Sequence, residues 1–408
     1  MMKNIQLNKW MWKWHFIGGL ISIPIIILLS VTGTIYLFKD NVEISEFKPL
    51  KKVEVKGERL SYQRQWDIAK AYAVKAPTKL IISKNKEEAT EFISGKHGGK
   101  STLFVNPYTA KVTGEVVLKD TWMYTIRKLH GELLLGGFGT KFVELVGCWM
   151  LVLIITGVYI WWPKKKWKLG GFFTVRTKVK KRLVWRDLHA VLSFWLSILL
   201  LITLAGGLPW TDVWGGIYKK IQNYTNTGFP ITWSNKSIKI DVAKTSPKTL
   251  DYMVEKAKIL NLDGKISIAL PQRKNSVYTI SNRAVDLYSQ KVYHFNQYTG
   301  EEVKSHTWSD VGILMKTRMW VMRFHEGYLG SWNWWLMLLM SILFTISSIA
   351  SVFAYVLRKR KNNWGIPKVP AQFQIGKAVL ILLVLLSILF PLFGLSVLLI
   401  IIYEKIKR

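Results

Sequence analysis

The stretch Ile17–Phe38 runs for 22 residues without a charged side chain, and Ala378–Tyr403 runs for 26. A bilayer's hydrocarbon core is spanned by about 20 apolar residues in helical form, so segments of this kind commit the chain to a membrane. Three more apolar segments lie between them: Phe142–Trp162, Leu188–Leu208 and Trp332–Leu357. The chain also carries 58 Lys+Arg against 25 Asp+Glu, a net charge of +33. Such a balance usually suggests a nucleic-acid partner. A soluble basic protein, however, would not also be 50% hydrophobic with 20 Trp. Nucleic-acid binding, a soluble globular enzyme, a disordered basic tail and a secreted disulfide scaffold are all excluded on these grounds.

The basic residues report orientation. The loop Pro163–Arg186 holds ten Lys/Arg and no acid, Arg358–Lys377 holds six and none, and the tail before His15 holds three and none. Lys/Arg-rich short loops stay in the cytoplasm, so the first and third spans run outward and the second and fourth run inward. The N-terminal stretch with Lys3, Lys9 and Lys13 has no small-residue cleavage site behind it and reads as a retained signal anchor. Two long loops, 39–127 and 209–323, then lie outside. Their helical stretches Tyr62–Lys75 and Leu250–Leu260, followed by short β-rich runs, predict α+β units. The final apolar segment has Pro391 and Gly394 at its centre. It is expected as one tilted, kinked span, because each half of a hairpin would reach only about 20 Å. That span would leave Lys405, Lys407 and Arg408 outside, against the charge rule.

The order of features repeats. Trp12-Lys13-Trp14-His15 and Trp185-Arg186-Asp187-Leu188-His189 each open an outward span. Asn106-Pro107-Tyr108-Thr109 and Asn296-Gln297-Tyr298-Thr299-Gly300 lie in the two outer loops. Arg127-Lys128-Leu129-His130-Gly131-Glu132 and Arg323-Phe324-His325-Glu326-Gly327 each precede an inward span. Two outward and two inward spans make a parallel repeat about the membrane normal.

Of seven His, three (His97, His294, His306) lie in the outer loops and four stand one per span. His15 and His189 fall at the cytoplasmic face, His130 and His325 at the outer face. A single His at a helix end is ordinarily an interfacial polar residue; four at matched positions form two facing pairs. The lone Cys148 excludes thiolate-held clusters and covalent CxxCH haem. Neutral imidazole suits haem iron from both sides of a flat macrocycle, and a four-helix bundle can clamp one. Structural zinc is the competing metal, without an acidic or His-x-x-His cluster to support it. Trp14, Trp149, Phe194 and Trp195 are candidate packing groups for a macrocycle. Glu132 and Glu326 are candidates to orient the outer imidazoles or, as solvated helix-start residues, to do nothing of the kind. Glu144 is an intramembrane acid close enough to the interface to be solvated. Trp161-Trp162 and Trp332/Trp334/Trp335 read as interfacial belts, and the runs Lys164–Lys166 and Arg358–Lys361 as topology determinants.

The ordered set of motifs resembles the PepSY-associated transmembrane family, whose members include siderophore-iron reductases. Its carriers are Trp14-His15-Phe16-Ile17-Gly18-Gly19, Val31-Thr32-Gly33, the Asn106 and Asn296 turns, Leu129-His130-Gly131-Glu132 and Thr156-Gly157-Val158-Tyr159-Ile160-Trp161-Trp162-Pro163. Leu188-His189 and Phe390-Pro391-Leu392-Phe393-Gly394-Leu395-Ser396 complete it. Two departures stand out: Ala110 replaces the Gly expected after Tyr108-Thr109, and the fourth span lacks Thr-Gly before its basic end. The resemblance implies a bacterial inner-membrane b-type cytochrome with two haem b groups on His15, His189, His130 and His325. It also implies PepSY-like outer domains and electron transfer from a cytoplasmic reductase or quinol to a ferric siderophore or other ferric chelate outside. No acid–base catalytic residue is required.

The expected architecture is an integral membrane all-α bundle, a four-helix core of two parallel repeats plus a C-terminal fifth segment, with two extracytoplasmic α+β PepSY-like domains. Along the chain this gives a first span at 1–38, outer domain 39–127, a short helix and second span at 128–162, and a basic loop at 163–186. The third span (187–208), second outer domain (209–323), a short helix and fourth span (324–357), a second basic loop (358–377) and the C-terminal segment (378–408) follow. The alternative is a non-enzymatic binding or transporter-accessory protein in which the four His are structural.

Overall fold

The computed structural model describes residues 2–83, 85–163, 170–359, 364–370 and 373–406. The expected basic determinants at Lys164–Lys166, Arg360, Lys361, Lys407 and Arg408 lie outside these residues. In chain order the elements are α1 (Met2–Tyr36), α2 (Lys39–Lys51), α3 (Tyr62–Tyr72), β1 (Lys79–Ile82), β2 (Thr90–Ser94), β3 (Ser101–Val105), β4 (Val112–Val117), α4 (Trp122–Glu132), α5 (Gly136–Trp161) and α6 (Lys181–Gly207). Then come α7 (Val213–Tyr224), α8 (Leu250–Ile259), β5 (Lys265–Ala269), β6 (Val277–Arg283), β7 (Lys291–Asn296), β8 (Glu302–Thr307), α9 (Ile313–His325), α10 (Ser331–Val356), α11 (Lys377–Leu389) and α12 (Pro391–Ile406). They fall into two units: residues 1–37, 126–221 and 318–408 form a helical unit, and 38–125 with 222–317 form the other.

In the helical unit α1, α5, α6 and α10 are long and apolar enough to cross a membrane. They pack in a ring in which α1 touches α5 and α10, and α6 touches α5 and α10. The diagonals α1/α6 and α5/α10 therefore face each other across the centre. Close approach rests on small residues, as is usual between membrane helices: a Cβ on Gly18 would sit 2.9 Å from the Trp149 ring. Glu144 is 1% exposed and accepts hydrogen bonds from the backbone N–H groups of Val213 (2.8 Å) and Trp214 (2.9 Å). It caps the N-terminus of α7, so it is not solvated.

The C-terminal segment corrects the expectation of one tilted span. Phe390 is non-helical (φ −122°, ψ 89°), and Pro391, which has no N–H to donate, restarts the chain as a second helix. α12 folds back on α11: a Cβ on Gly394 would meet the Ser387 carbonyl at 2.7 Å, a close approach that Gly permits. Phe390 and Phe393 pack on Cys148, Val152 and Leu208, and Trp149 Nε1 donates to Ser396 Oγ at 3.2 Å. Glu404 returns to within 3.7 Å of Lys13 near the start of α1. A hairpin that enters and leaves at one end removes the conflict with the charge rule, since Lys405 then joins the other basic residues.

In the second unit the two loops build one sheet of eight antiparallel strands, ordered β4-β3-β2-β1-β5-β6-β7-β8. The expectation of two outer domains changes accordingly. Alone, each four-stranded set would expose β1 or β5 as an apolar edge. Pairing Leu80 with Ile268, both fully buried, satisfies both edges. α3 and α8 contribute Tyr62, Ala69, Leu250, Met253, Val254 and Ala257 to the core with the strands. The two helices cap each other: Asp251 accepts from the Tyr62 and Gln63 N–H groups, and Gln63 Oε1 accepts from Leu250 N–H. The repeated Asn-x-Tyr-Thr motif is an Asx turn, with Asn106 Oδ1 accepting from Tyr108 and Thr109, and Asn296 Oδ1 from Tyr298 and Thr299. Gly300 ends the second turn at φ 76° and Ala110 takes the same left-handed region at φ 61°. The sequence departure at Ala110 is thus a local strain of roughly 1–2 kcal/mol rather than a change of turn.

Candidate functional site

All four span His lie in the helical unit, and the ring of helices sorts them. His15 on α1 and His189 on α6 meet across one diagonal with ring centroids 6.4 Å apart. His130, near the end of α4, and His325, the last residue of α9, meet just ahead of α5 and α10 at 6.1 Å. The pairs stand at opposite ends of the bundle. Thr32, which touches His130, is 17 residues along α1 from His15, or about 25 Å at helical rise.

Each imidazole is held through Nδ1 by the neighbouring helix of its own half. His15 Nδ1 bonds the Leu153 carbonyl at 3.1 Å and Thr156 Oγ1 at 3.0 Å. His130 Nδ1 bonds Thr32 Oγ1 at 3.0 Å. His189 Nδ1 bonds the Ser347 carbonyl (3.1 Å) and its Oγ (3.2 Å), and His325 Nδ1 bonds the Thr203 carbonyl at 3.0 Å. A carbonyl accepts only from Nδ1–H, which leaves Nε2 as the lone-pair nitrogen for His15, His189 and His325. None of the four Nε2 atoms has a hydrogen-bond partner among the described residues. Glycines make room for the rings: a Cβ on Gly157 would stand 3.1 Å from His15 Cε1, and on Gly33 3.3 Å from His130 Cε1. On Gly206 it would stand 2.7 Å from His325 Cβ.

The Thr-Gly pairs at 32–33 and 156–157 therefore have a physical role. Thr supplies the acceptor, and the next residue's missing side chain admits the ring. The fourth span, which lacks Thr-Gly, uses Ser347. These three hydroxyl residues were not singled out from the sequence as contacts of His. The available signal was a Thr-Gly motif recurring at the far end of each span in the first half.

Two imidazoles on one metal ion, each Nε2 about 2.0–2.1 Å from it and each ring centre about 1.1 Å further, have centres about 6.2–6.4 Å apart. Both pairs match that geometry. Separation alone is not diagnostic, because His294 and His306 in the sheet unit stand 6.5 Å apart. There His306 engages Thr232 Oγ1 through Nε2 at 2.8 Å and faces Asp310 with Nδ1 at 3.8 Å. In that pair only His294 has an anchored Nδ1, on Thr279 Oγ1 at 3.0 Å, and an unpartnered Nε2, whereas in the span pairs both rings do. Among the described residues no three His, Cys, Asp or Glu side chains gather as a metal cluster, so a four-ligand zinc site lacks its donors.

Other expected contributors are placed elsewhere. Glu132 pairs with Lys128 at 2.5 Å rather than with His130. Trp149 packs on Phe393 at 5.3 Å. Phe194 and Trp195 pack on Phe172 and Phe173, and Trp195 is 59% exposed. Asp187, fully buried two residues before His189, is paired with Arg176 (2.7 Å) and Arg186 (2.6 Å). Trp332 and Trp335 are exposed, as interfacial residues are, while Trp334 Nε1 donates to the Leu37 carbonyl at 3.0 Å.

Among curated proteins none matches the sequence significantly. The family model described as the PepSY-associated TM region matches residues 12–358. That span runs from within α1 past the end of α10 and includes all four of these His, and the chain is a multi-pass membrane protein of the PepSY-associated transmembrane family.

Proposed function

We propose that this protein is a transmembrane dihaem b-type cytochrome of the bacterial inner membrane that carries electrons outward to a ferric chelate, such as a ferric siderophore, for iron uptake. One observation carries the reading: two facing His pairs, each at the separation of a bis-imidazole metal site, each with Nδ1 anchored and Nε2 unpartnered. The matched arrangement in the two halves supports the parallel-repeat interpretation. The α3/β1–β4 and α8/β5–β8 sets are then the two PepSY-like portions of one outer sheet unit.

His15 with His189 would hold one haem b, and His130 with His325 the other. When bound, haem supplies a one-electron couple whose potential is set by its axial ligands and surroundings. The chain contributes orientation and solvation. Thr32, Thr156, Thr203 and Ser347 hold the imidazoles in place, and the anchored Nδ1 raises ligand basicity. The apolar interior formed by residues such as Leu196, Leu200, Met337 and Met340 keeps water from the path. The pairs stand about 25 Å apart along α1, close to the roughly 30 Å hydrocarbon thickness. One pair therefore serves an electron donor, a cytoplasmic reductase or quinol, and the other an acceptor outside. Transfer to a ferric chelate is outer-sphere and asks no side chain for a proton.

The test uses purified full-length protein in detergent. The reduced protein, mixed with ferric citrate or a ferric hydroxamate, should be reoxidised with formation of Fe(II) trapped by a ferrous chelator. A red protein that neither chelate reoxidises would overturn the ferric-reductase part of the proposal.

A further inference from the structure

At the His15–His189 end, four buried polar atoms have no hydrogen-bond partner in the structure: Asn8 Oδ1, Trp14 Nε1, Tyr355 Oη and Arg358 Nη2. Two of them flank one ring. The Arg358 guanidinium lies 4.5 Å from the centre of Phe16 and 5.1 Å from that of Trp12, and the Tyr355 ring lies 5.4 Å from Phe16. Asn8, Trp12, His15 and Phe16 follow three- and four-residue spacing, so they share one stripe of α1. Arg358 and Tyr355 are therefore held against the helix face that carries His15.

A guanidinium nitrogen buried without an acceptor asks for one, best an anion. The nearby acid Asp187 is taken by Arg176 and Arg186, and Arg182 acts on Arg358 as a like charge. The faces of Trp12 and Phe16 offer a cation–π contact but accept no N–H bond from Nη2. The buried Nη2 of a half-buried guanidinium and a buried phenol oxygen, both able to donate and both without an acceptor, match one carboxylate group.

We propose that Arg358 and Tyr355 form an oxyanion site for a carboxylate side arm of the flat cofactor held by His15 and His189. The site fixes that cofactor's rotation about the His–His axis and raises its potential through the guanidinium charge. This rests on the dihaem reading. A lipid phosphate shares the chemistry, and the experiment separates the two sources.

Full-length wild-type protein and the variants Arg358→Ala, Arg358→Lys and Tyr355→Phe are purified with haem. Haem per chain, haem loss to an apoprotein acceptor, midpoint potentials and bound phosphorus are measured. His15→Ala identifies which redox component belongs to this end, and the other component reports folding. In Arg358→Ala the His15–His189 component should lose haem at least about tenfold faster and shift to a more negative potential, with the other component unchanged. Tyr355→Phe should show the same change, smaller, and Arg358→Lys should retain most of the potential. Unchanged haem retention and potential in Arg358→Ala overturn the proposal, and loss of bound phosphorus alone assigns the site to lipid. If Arg358→Ala also loses the other haem, unchanged retention and potential in both remaining variants overturn it, and a selective change in either supports it. A wild-type protein without haem refutes the dihaem reading itself and is thereby distinguished from failure of this inference.

Discussion

Gly206 sits where α6 crosses α9, and its side-chain space is already filled. A Cβ there would lie 2.6 Å from the Val321 carbonyl oxygen and 2.7 Å from His325 Cβ. Ordinary contact begins near 3.4 Å, so Gly206→Ala must push His325 away by about 0.7 Å, beyond the roughly 0.5 Å within which a site keeps its geometry. The His325 Nδ1 to Thr203 carbonyl bond, 3.0 Å in the structure, would stretch to about 3.7 Å and cease to be a hydrogen bond. Overpacking of this kind costs about 1–3 kcal/mol. Gly19→Ala is the control, since its Cβ would meet Leu153 at 3.9 Å without strain. The assay is thermal unfolding in detergent together with haem per chain. Gly206→Ala should be less stable than Gly19→Ala by about 1–3 kcal/mol and should fall from two haems to one, with the His15–His189 component kept. A Gly206→Ala protein as stable as Gly19→Ala, with both haems, would refute the packing argument.

Three further outcomes are expected. Thr156→Val removes the Oγ1 acceptor of His15 but leaves the Leu153 carbonyl, so haem affinity at that pair should fall about tenfold, the low end for such outer contacts, as read by spectral titration. Glu144→Ala strands the Val213 and Trp214 N–H groups and should cost about 2–4 kcal/mol in thermal stability, whereas Glu144→Gln should keep electron-transfer rates unchanged. In the sheet unit, burial and the nearby His306 depress the His294 pKa from 6.5 to about 4; Lys304 is its cross-strand partner and Asp310 faces His306. The opened strand then binds a proton that the native one refuses. The stability His294 contributes, at most about 3 kcal/mol, is full above pH 6.5 and lost as pH falls towards 4. The protection factor of β7 amides in the intact chain, observed exchange divided into the intrinsic rate at each pH, should fall over that window in wild type and not in His294→Leu.

The spans and the span His were legible because both are local signals: uncharged runs of bilayer length, and basic loops that orient them. Each His had a predicted face and a predicted partner, and the structure brings both pairs together. The partners of Nδ1 were not legible in the same way. Thr and Ser inside a helix commonly bond their own backbone, as Thr156 Oγ1 also does to Val152, and nothing in spacing says which will also meet a ring on another helix. The shared sheet was hidden for a similar reason. β1 and β5 read as ordinary short strands, and their pairing joins residues nearly two hundred positions apart. The C-terminal segment was ambiguous by length alone. The close approach of Gly394 to Ser387 and the Lys13–Glu404 ion pair, both tertiary, settle it as a hairpin.

Four His holding two haems in face-by-face pairs leave a signature that each single substitution reads. Haem per chain, with the Soret band before and after reduction, should be measured on wild type and on His15→Ala, His189→Ala, His130→Ala and His325→Ala. Two haems are expected in wild type, with loss of one and the same component in the first two variants and loss of the other in the last two. A folded, colourless wild-type protein, or variants that each lose both components equally, would contradict it.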